Sequence, residues 1–170
     1  MKKIDFHIHT RATLSDSDFD FCMNTLKEYV QRNNLDAIAI TNHNLFDTSQ
    51  FRSIKEELQI SVFPGIEIDV ASGHLLLISD GNNLADFEDR CRTVTEIIGG
   101  ATDSLSVSEV KDIYGDLSNY IIIPHYEKGP SIKTQDLEEL GACICAGEVD
   151  SAKKFIRAIK DQNKLCPVLF

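Results

Sequence analysis

The stretch Ile4-Asp5-Phe6-His7-Ile8-His9-Thr10 decides how the chain is read. Apolar Ile4, Phe6 and Ile8 alternate with polar Asp5, His7 and His9, the period of two expected of a strand over about residues 3–9 with one face in a core. Two imidazoles then project side by side from the polar face. After the polar run Ser15-Asp16-Ser17-Asp18, the residues Cys22, Leu26, Tyr29 and Val30 recur at helical spacing up to Asn33-Asn34. Ala37-Ile38-Ala39-Ile40 is apolar throughout, as a parallel strand covered on both sides would be, and it delivers Thr41-Asn42-His43 at its C-terminal end.

The alternation continues along the chain. Phe51, Ile54 and Leu58 mark a second helix. A strand is expected at Ser61-Val62-Phe63, a turn at Pro64-Gly65, then Ile66-Glu67-Ile68, and a further strand from His74 to Ile78 after the break at Ser72-Gly73. Phe87, Cys91, Val94 and Ile98 form a helical stripe ending at Gly99-Gly100. Ser106 and Glu109 have capping-box spacing, with Leu105 and Val110 placed as a hydrophobic staple. Tyr120 to Ile123 reads as a buried strand running into Pro124-His125, Ala142 to Val149 contains another, Ser151 caps a helix carrying Phe155, Ile156 and Ile159, and Cys166 to Phe170 is a final strand. Strands alternating with helices indicate a single α/β domain over residues 1–170, built on mainly parallel strands closed as a barrel and working at the C-terminal ends of those strands.

Composition narrows the function. The 170 residues carry 17 Lys and Arg against 27 Asp and Glu, a net charge of −10, so a polyanionic partner must be recognised at a local site, and a nonspecific nucleic-acid coat is excluded. No apolar run reaches the ~20 residues of a membrane span, and the N-terminus lacks the apolar core of a signal peptide, so a cytoplasmic protein is expected. Five cysteines without C-x-x-C spacing read as reduced, mostly buried thiols, with Cys143 and Cys145 as a core pair on a strand. Neither Gly-x-Gly-x-x-Gly nor a Walker pattern occurs, so no nucleotide-binding loop is expected. All five histidines, His7, His9, His43, His74 and His125, fall at or beside strands, together with Glu67. An isolated H-x-H is equally read as a hydrogen-bonded pair. Imidazoles and a carboxylate arriving from separate strands are what a catalytic zinc, manganese or iron site requires. Glu148, near another strand end, could reach the site, or else is a surface or structural carboxylate, the preferred reading.

The pieces Asp5-Phe6-His7-Ile8-His9-Thr10, Ile40-Thr41-Asn42-His43-Asn44, Gly65-Ile66-Glu67, Gly73-His74-Leu75-Leu76 and Ile123-Pro124-His125 stand in the order and spacing of the PHP (polymerase and histidinol phosphatase) domain, which the chain resembles over residues 4–126. The resemblance implies a distorted (β/α)7 barrel with up to three divalent ions (Zn, Mn or Fe) at its mouth. It implies His7, His9 and Glu67 as ligands of one metal, Glu67 bridging to a second held by His74 and His125, and His43 at a third. Asp16 is either a further ligand of the third metal or a cap of the following helix. The implied activity is that of a metal-dependent phosphoesterase, with His7, His9 and Glu67 acting through a metal-bridging hydroxide on a phosphorylated small molecule or a nucleic-acid phosphodiester. Arg11 and Lys128 are placed to orient a phosphate, or are solvated loop residues.

Two departures from the family pattern carry expectations of their own. Asn42 stands where the family usually has Asp, and cannot supply a charged acceptor to the third site. The family's last strand leads into a Ser-Asp-x-His-like motif that supplies further ligands, and it would begin at Phe170. The expectation is therefore an N-terminal fragment of a longer protein or a centre lacking ligands. The pattern is also similar to PHP modules that precede ATPase regions in larger bacterial proteins, which implies the alternative of a metal-incomplete regulatory or scaffolding module with such a partner.

Overall fold

The computed structural model describes residues 2–161 and 164–170. Seven strands form one sheet in chain order: β1 (Ile4–Ile8), β2 (Ala37–Ile40), β3 (Ser61–Val70), β4 (Gly73–Ile78), β5 (Ile121–Glu127), β6 (Gly147–Val149) and β7 (Pro167–Val168). Between them run α1 (Met23–Asn33), α2 (Thr48–Glu57), α3 (Leu84–Ile97), α4 (Val107–Tyr114), α5 (Thr134–Leu140) and α6 (Ala152–Ile159). Pairing is parallel from β1 to β3 and from β5 to β7, while β4 is antiparallel to both neighbours. The sheet curls into a half-barrel whose edges approach through side chains, with the Phe6 and Phe170 rings 6.2 Å apart. Among the described residues no helix is long and apolar enough to cross a membrane.

Two apolar layers flank the sheet. Ile38, Ile40, Val62, Ile66, Ile68, Leu75 and Leu77 pack outward against helix residues such as Leu26, Ile54, Phe87 and Val110. Phe6, Ala37, Ala39, Leu76, Ile78, Ile123 and Ala146 fill the concave side. Helix ends follow the capping chemistry in the sequence. Ser106 and Glu109 form both halves of the expected capping box, with Leu105 and Val110 fully buried, and Ser151 caps α6.

Several local expectations are corrected. The alternation over residues 4–9 is interrupted: between the pairs Asp5↔Ile38 and Ile8↔Ile40, β1 advances three residues while β2 advances two. This bulge breaks the shared face of Ile4, Phe6 and Ile8. Phe6 enters the concave cluster, Ile8 packs on the helix side, and Asp5 turns out to accept from Tyr29 Oη at 2.5 Å. His7 and His9, on either side of Ile8, therefore face inward. Pro64-Gly65 is not a turn but the interior of a ten-residue strand. Pairing with β2 ends at Pro64 and pairing with β4 begins at Gly65, so the residue pair marks a change of partner. Cys143 lies in a 3-10 turn (Gly141–Cys143) and Cys145 is exposed ahead of β6; only Cys91 of the five thiols is buried. Residues 166–170 contribute just the two-residue β7.

Gly65 is required by close approach. A Cβ there would lie 2.7 Å from Thr41 Cγ2 and 3.2 Å from the carbonyl oxygens of Ile40 and Leu77. Gly65→Ala is expected to cost about 1–3 kcal/mol through this overpacking, read as a lower urea midpoint at unchanged slope.

Candidate metal centre

Glu67 is the hub. Its side chain is 1% exposed and all five imidazoles face it. Oε2 lies 2.8 Å from His7 Nε2, 2.7 Å from His9 Nε2 and 3.3 Å from His43 Nε2. Oε1 lies 2.8 Å from His74 Nδ1 and 3.2 Å from His125 Nε2. The rings reach this point by several local devices. The β1 bulge turns in His7 and His9. The chain beyond β2 rejoins β3, with the Asn44 amide donating to the Glu67 carbonyl at 2.7 Å and the Glu67 amide to the Asn42 carbonyl at 3.1 Å, which sets His43 beside Glu67. His74 enters at the start of antiparallel β4, and His125 lies on β5 opposite Glu148.

Two asparagines hold the loop around His43. Asn42 Oδ1 accepts from the backbone amides of Thr10 at 2.6 Å and Arg11 at 2.9 Å, fixing the turn that follows His9. Asn44, at φ 51°, grips Asp69 twice: its Oδ1 accepts from the Asp69 amide at 2.9 Å and its Nδ2 donates to Asp69 Oδ2 at 2.8 Å. A positive φ is an arrangement asparagine tolerates better than most residues.

An outer set of carboxylates surrounds the rings. Asp16 Oδ1 lies 2.8 Å from His9 Nδ1 and 4.0 Å from His43 Nε2. It does not cap α1, whose N-cap is Cys22. Glu148, read from sequence as a surface or structural carboxylate, is buried in the centre, 2.9 Å from His7 Nδ1 and 3.2 Å from His125 Nε2. Asp69, which sequence reasoning missed, lies 3.3 Å from His43 Nδ1 and 3.2 Å from His74 Nε2. The charged acceptor that Asn42 cannot provide to His43 thus comes from the neighbouring strand. Lys128 Nζ reaches His7 Nδ1 at 2.9 Å and Glu148 at 2.7 Å. Arg11 is held instead by Asp47, at 2.6 Å, on the exposed rim.

The electrostatics follow from this packing. Burial works against ionisation of Glu67, but the imidazoles of His125, His7, His74 and His9 outweigh it and hold the carboxyl far below its usual range. Glu148 is likewise held low by His125, His7 and Lys128 against its burial. Burial opposes protonation of His7, yet Glu148 and Glu67 raise it to about 9.

The donor set fits divalent ions. His7 Nε2, His9 Nε2 and Glu67 Oε2 stand 2.7–3.1 Å apart, the separation of adjacent ligands about one ion with bonds of ~2.0–2.1 Å. Further convergent sets are Glu67, His74 and His125; His9, Asp16 and His43; His7, His125 and Glu148; and His43, Asp69 and His74. Among the described residues, five buried side-chain atoms lack a hydrogen-bond partner, and four of them belong here: His43 Nδ1, Asp69 Oδ1 and both nitrogens of His125. His43 Nδ1 and Asp69 Oδ1 face each other at 3.3 Å without hydrogen-bond geometry, whereas the unpaired His125 ring is accounted for by something absent from the polypeptide, and this donor chemistry suits a cation.

The PHP domain family matches residues 5–164. The chain belongs to the PHP domain family. A solved structure from Bifidobacterium adolescentis, whose own description is of a candidate metal-dependent phosphoesterase, superposes with a TM-score of 0.60 over 94% of this chain and 82% of its own, at 12% identity. At that identity the likeness establishes the fold. No curated protein matches the chain. At the mouth of this PHP centre, a cavity of about 280 Å³ is lined by His7, His9, Lys128, Glu148 and Phe170.

The Asn42 contacts can be tested without any metal. Asn42→Ala strips two backbone amides of their acceptor and is expected to cost about 1–3 kcal/mol in urea unfolding of the metal-free protein.

Proposed function

We propose that this PHP domain hydrolyses a phosphate ester with divalent ions held around Glu67. The observation that carries this is the division of labour between the Glu67 oxygens. Oε2 faces His7 and His9, and Oε1 faces His74 and His125, the arrangement of a carboxylate shared by two adjacent ions. His43 and Asp16 would hold a third beside His9. Ions so placed would supply a bridging water acidified toward hydroxide and would neutralise charge on the phosphoryl oxygens.

The remaining work falls to side chains of the chain itself. His7 and His9 stay fixed because their outer nitrogens rest on Glu148 and Asp16. Lys128 is the one cation lining the cavity at the centre, and its ammonium can move from Glu148 to a phosphoryl oxygen to orient the ester. Arg11, committed to Asp47, takes no part in this scheme.

Elemental analysis of protein purified without added metal, paired with hydrolysis of p-nitrophenyl phosphate and bis(p-nitrophenyl) phosphate in Mn²⁺ or Zn²⁺, tests the proposal and separates monoesters from diesters. At least one ion per chain with turnover is expected; less than one ion and no turnover would overturn it. His7→Ala should abolish metal retention while the circular dichroism spectrum is kept. Lys128→Met should retain the ions and lower kcat/KM about 10-fold or more, the loss of one charged hydrogen bond.

A further inference from the structure

His43 and His74 each present one nitrogen to Glu67 and the other to the same oxygen, Asp69 Oδ1. Glu67 and Asp69 are two residues apart on β3 and so share a face, and Asp69 is the register partner of His74 across the β3–β4 hairpin. Asp69 cannot swing to favour either ring. Its amide and Oδ2 are gripped by Asn44, and Ser15 Oγ donates to the same Oδ2 at 2.9 Å. One fixed oxygen between two imidazoles cannot be aimed at both. That compromise leaves contacts of 3.2–3.3 Å that fall short of hydrogen-bond geometry, against 2.8 Å for Asp16 on His9 and 2.9 Å for Glu148 on His7.

We propose that Asp69 is a positioning residue of the metal centre: its Oδ1 holds the outward nitrogens, His43 Nδ1 and His74 Nε2, as N–H groups and so turns the lone pairs of His43 Nε2 and His74 Nδ1 toward Glu67. The inference rests on the metal-dependent reading above and adds to it the residue that sets two of its ligands. A neutral imidazole has one lone pair and one N–H. A ring that ligates on its inner nitrogen must therefore be protonated on its outer one, and the outer N–H needs an acceptor. Asp16 and Glu148 meet that need for His9 and His7, each at the outward nitrogen of one ring. Asp69 Oδ1 is the carboxylate oxygen within reach of two such nitrogens at once. The alternative, in which Asp69, His43 and His74 themselves enclose an ion, requires the opposite protonation of both rings, so the two arrangements exclude each other.

The test is two-bond ¹H–¹⁵N NMR of the histidine side chains in the full chain loaded with zinc alone. The expected spectrum shows His43 protonated at Nδ1 and His74 at Nε2, with zinc on the opposite nitrogens. Asp69→Asn is the informative variant. Asn44 and Ser15 both donate to Oδ2, so they claim the amide oxygen and leave the NH2 group facing the rings, where it favours the inverted tautomers. Zinc affinity measured by chelator competition should fall about 10–100-fold, with the His7 and His9 signals unmoved. Zinc on His43 Nδ1 or His74 Nε2 overturns the proposal, as does an Asp69→Asn variant with unchanged affinity and tautomers. Both of those results leave the phosphoesterase reading standing, whereas a wild-type chain that retains no zinc removes both. If Asp69→Asn fails to fold, the wild-type spectrum decides alone.

Discussion

A carboxylate buried to 1% exposure in the middle of a sheet is the constraint on which the structure turns. Glu67 without partners would be strongly destabilising, since an ionised group in an apolar interior loses its hydration and gains nothing in return. Its surroundings are five imidazoles drawn from β1, the continuation of β2, β4 and β5. The irregular features of the sheet can each be traced to this requirement. The bulge in β1 turns two consecutive inward positions into histidines, the pairing beyond Ile40 brings His43 back to β3, and the change of partner at Pro64-Gly65 allows β4 to run against β3.

The antiparallel strand has a geometric consequence. In a uniformly parallel barrel, side chains reach the mouth from C-terminal strand ends. β4 runs the other way, so the residue it offers to the mouth must lie near its beginning. His74 is its second residue, and in register it meets Asp69 near the end of β3. Glu67 and His74, only seven positions apart, can therefore sit on one centre without a helix between them.

How much of this was legible follows from which signals are local. The helices and their caps were readable because spacing and capping act within a few residues, as at Ser106 and Glu109. The histidines were readable as a group because a rare residue type fell repeatedly at strand ends. The β1 bulge was not readable, since an inserted residue shows only against the partner strand. Pro64-Gly65 has the composition of a turn, and only the pairing on both sides of it reveals a continuous strand. Asp69 was missed, and Glu148 was read first as a surface or structural carboxylate, because carboxylates are common in a chain with 27 of them. A signal existed for Asp69, which stands at i+2 from Glu67 on one strand and so must share its face. Glu148 lies between Gly147 and Val149 in a strand of three buried residues, where a charge is out of place unless paired.

Charge at the centre bears on the net −10 of the chain. Glu67, Asp16, Asp69 and Glu148 face the rings, and among the described residues Lys128 is the one ammonium that touches them. With neutral imidazoles this site is anionic and would repel a phosphate. Two divalent ions would more than neutralise that charge, and the same ions would be the groups that the phosphate meets. On the proposed function, anion binding and metal binding are then one event in electrostatic terms, because among the described residues Lys128 is the one Lys or Arg lining the cavity at the centre. Lys128 fits this scheme because its present partner is Glu148. With ions held by Glu148 and Glu67, the ammonium would be free to turn from Glu148 to a phosphate at the mouth.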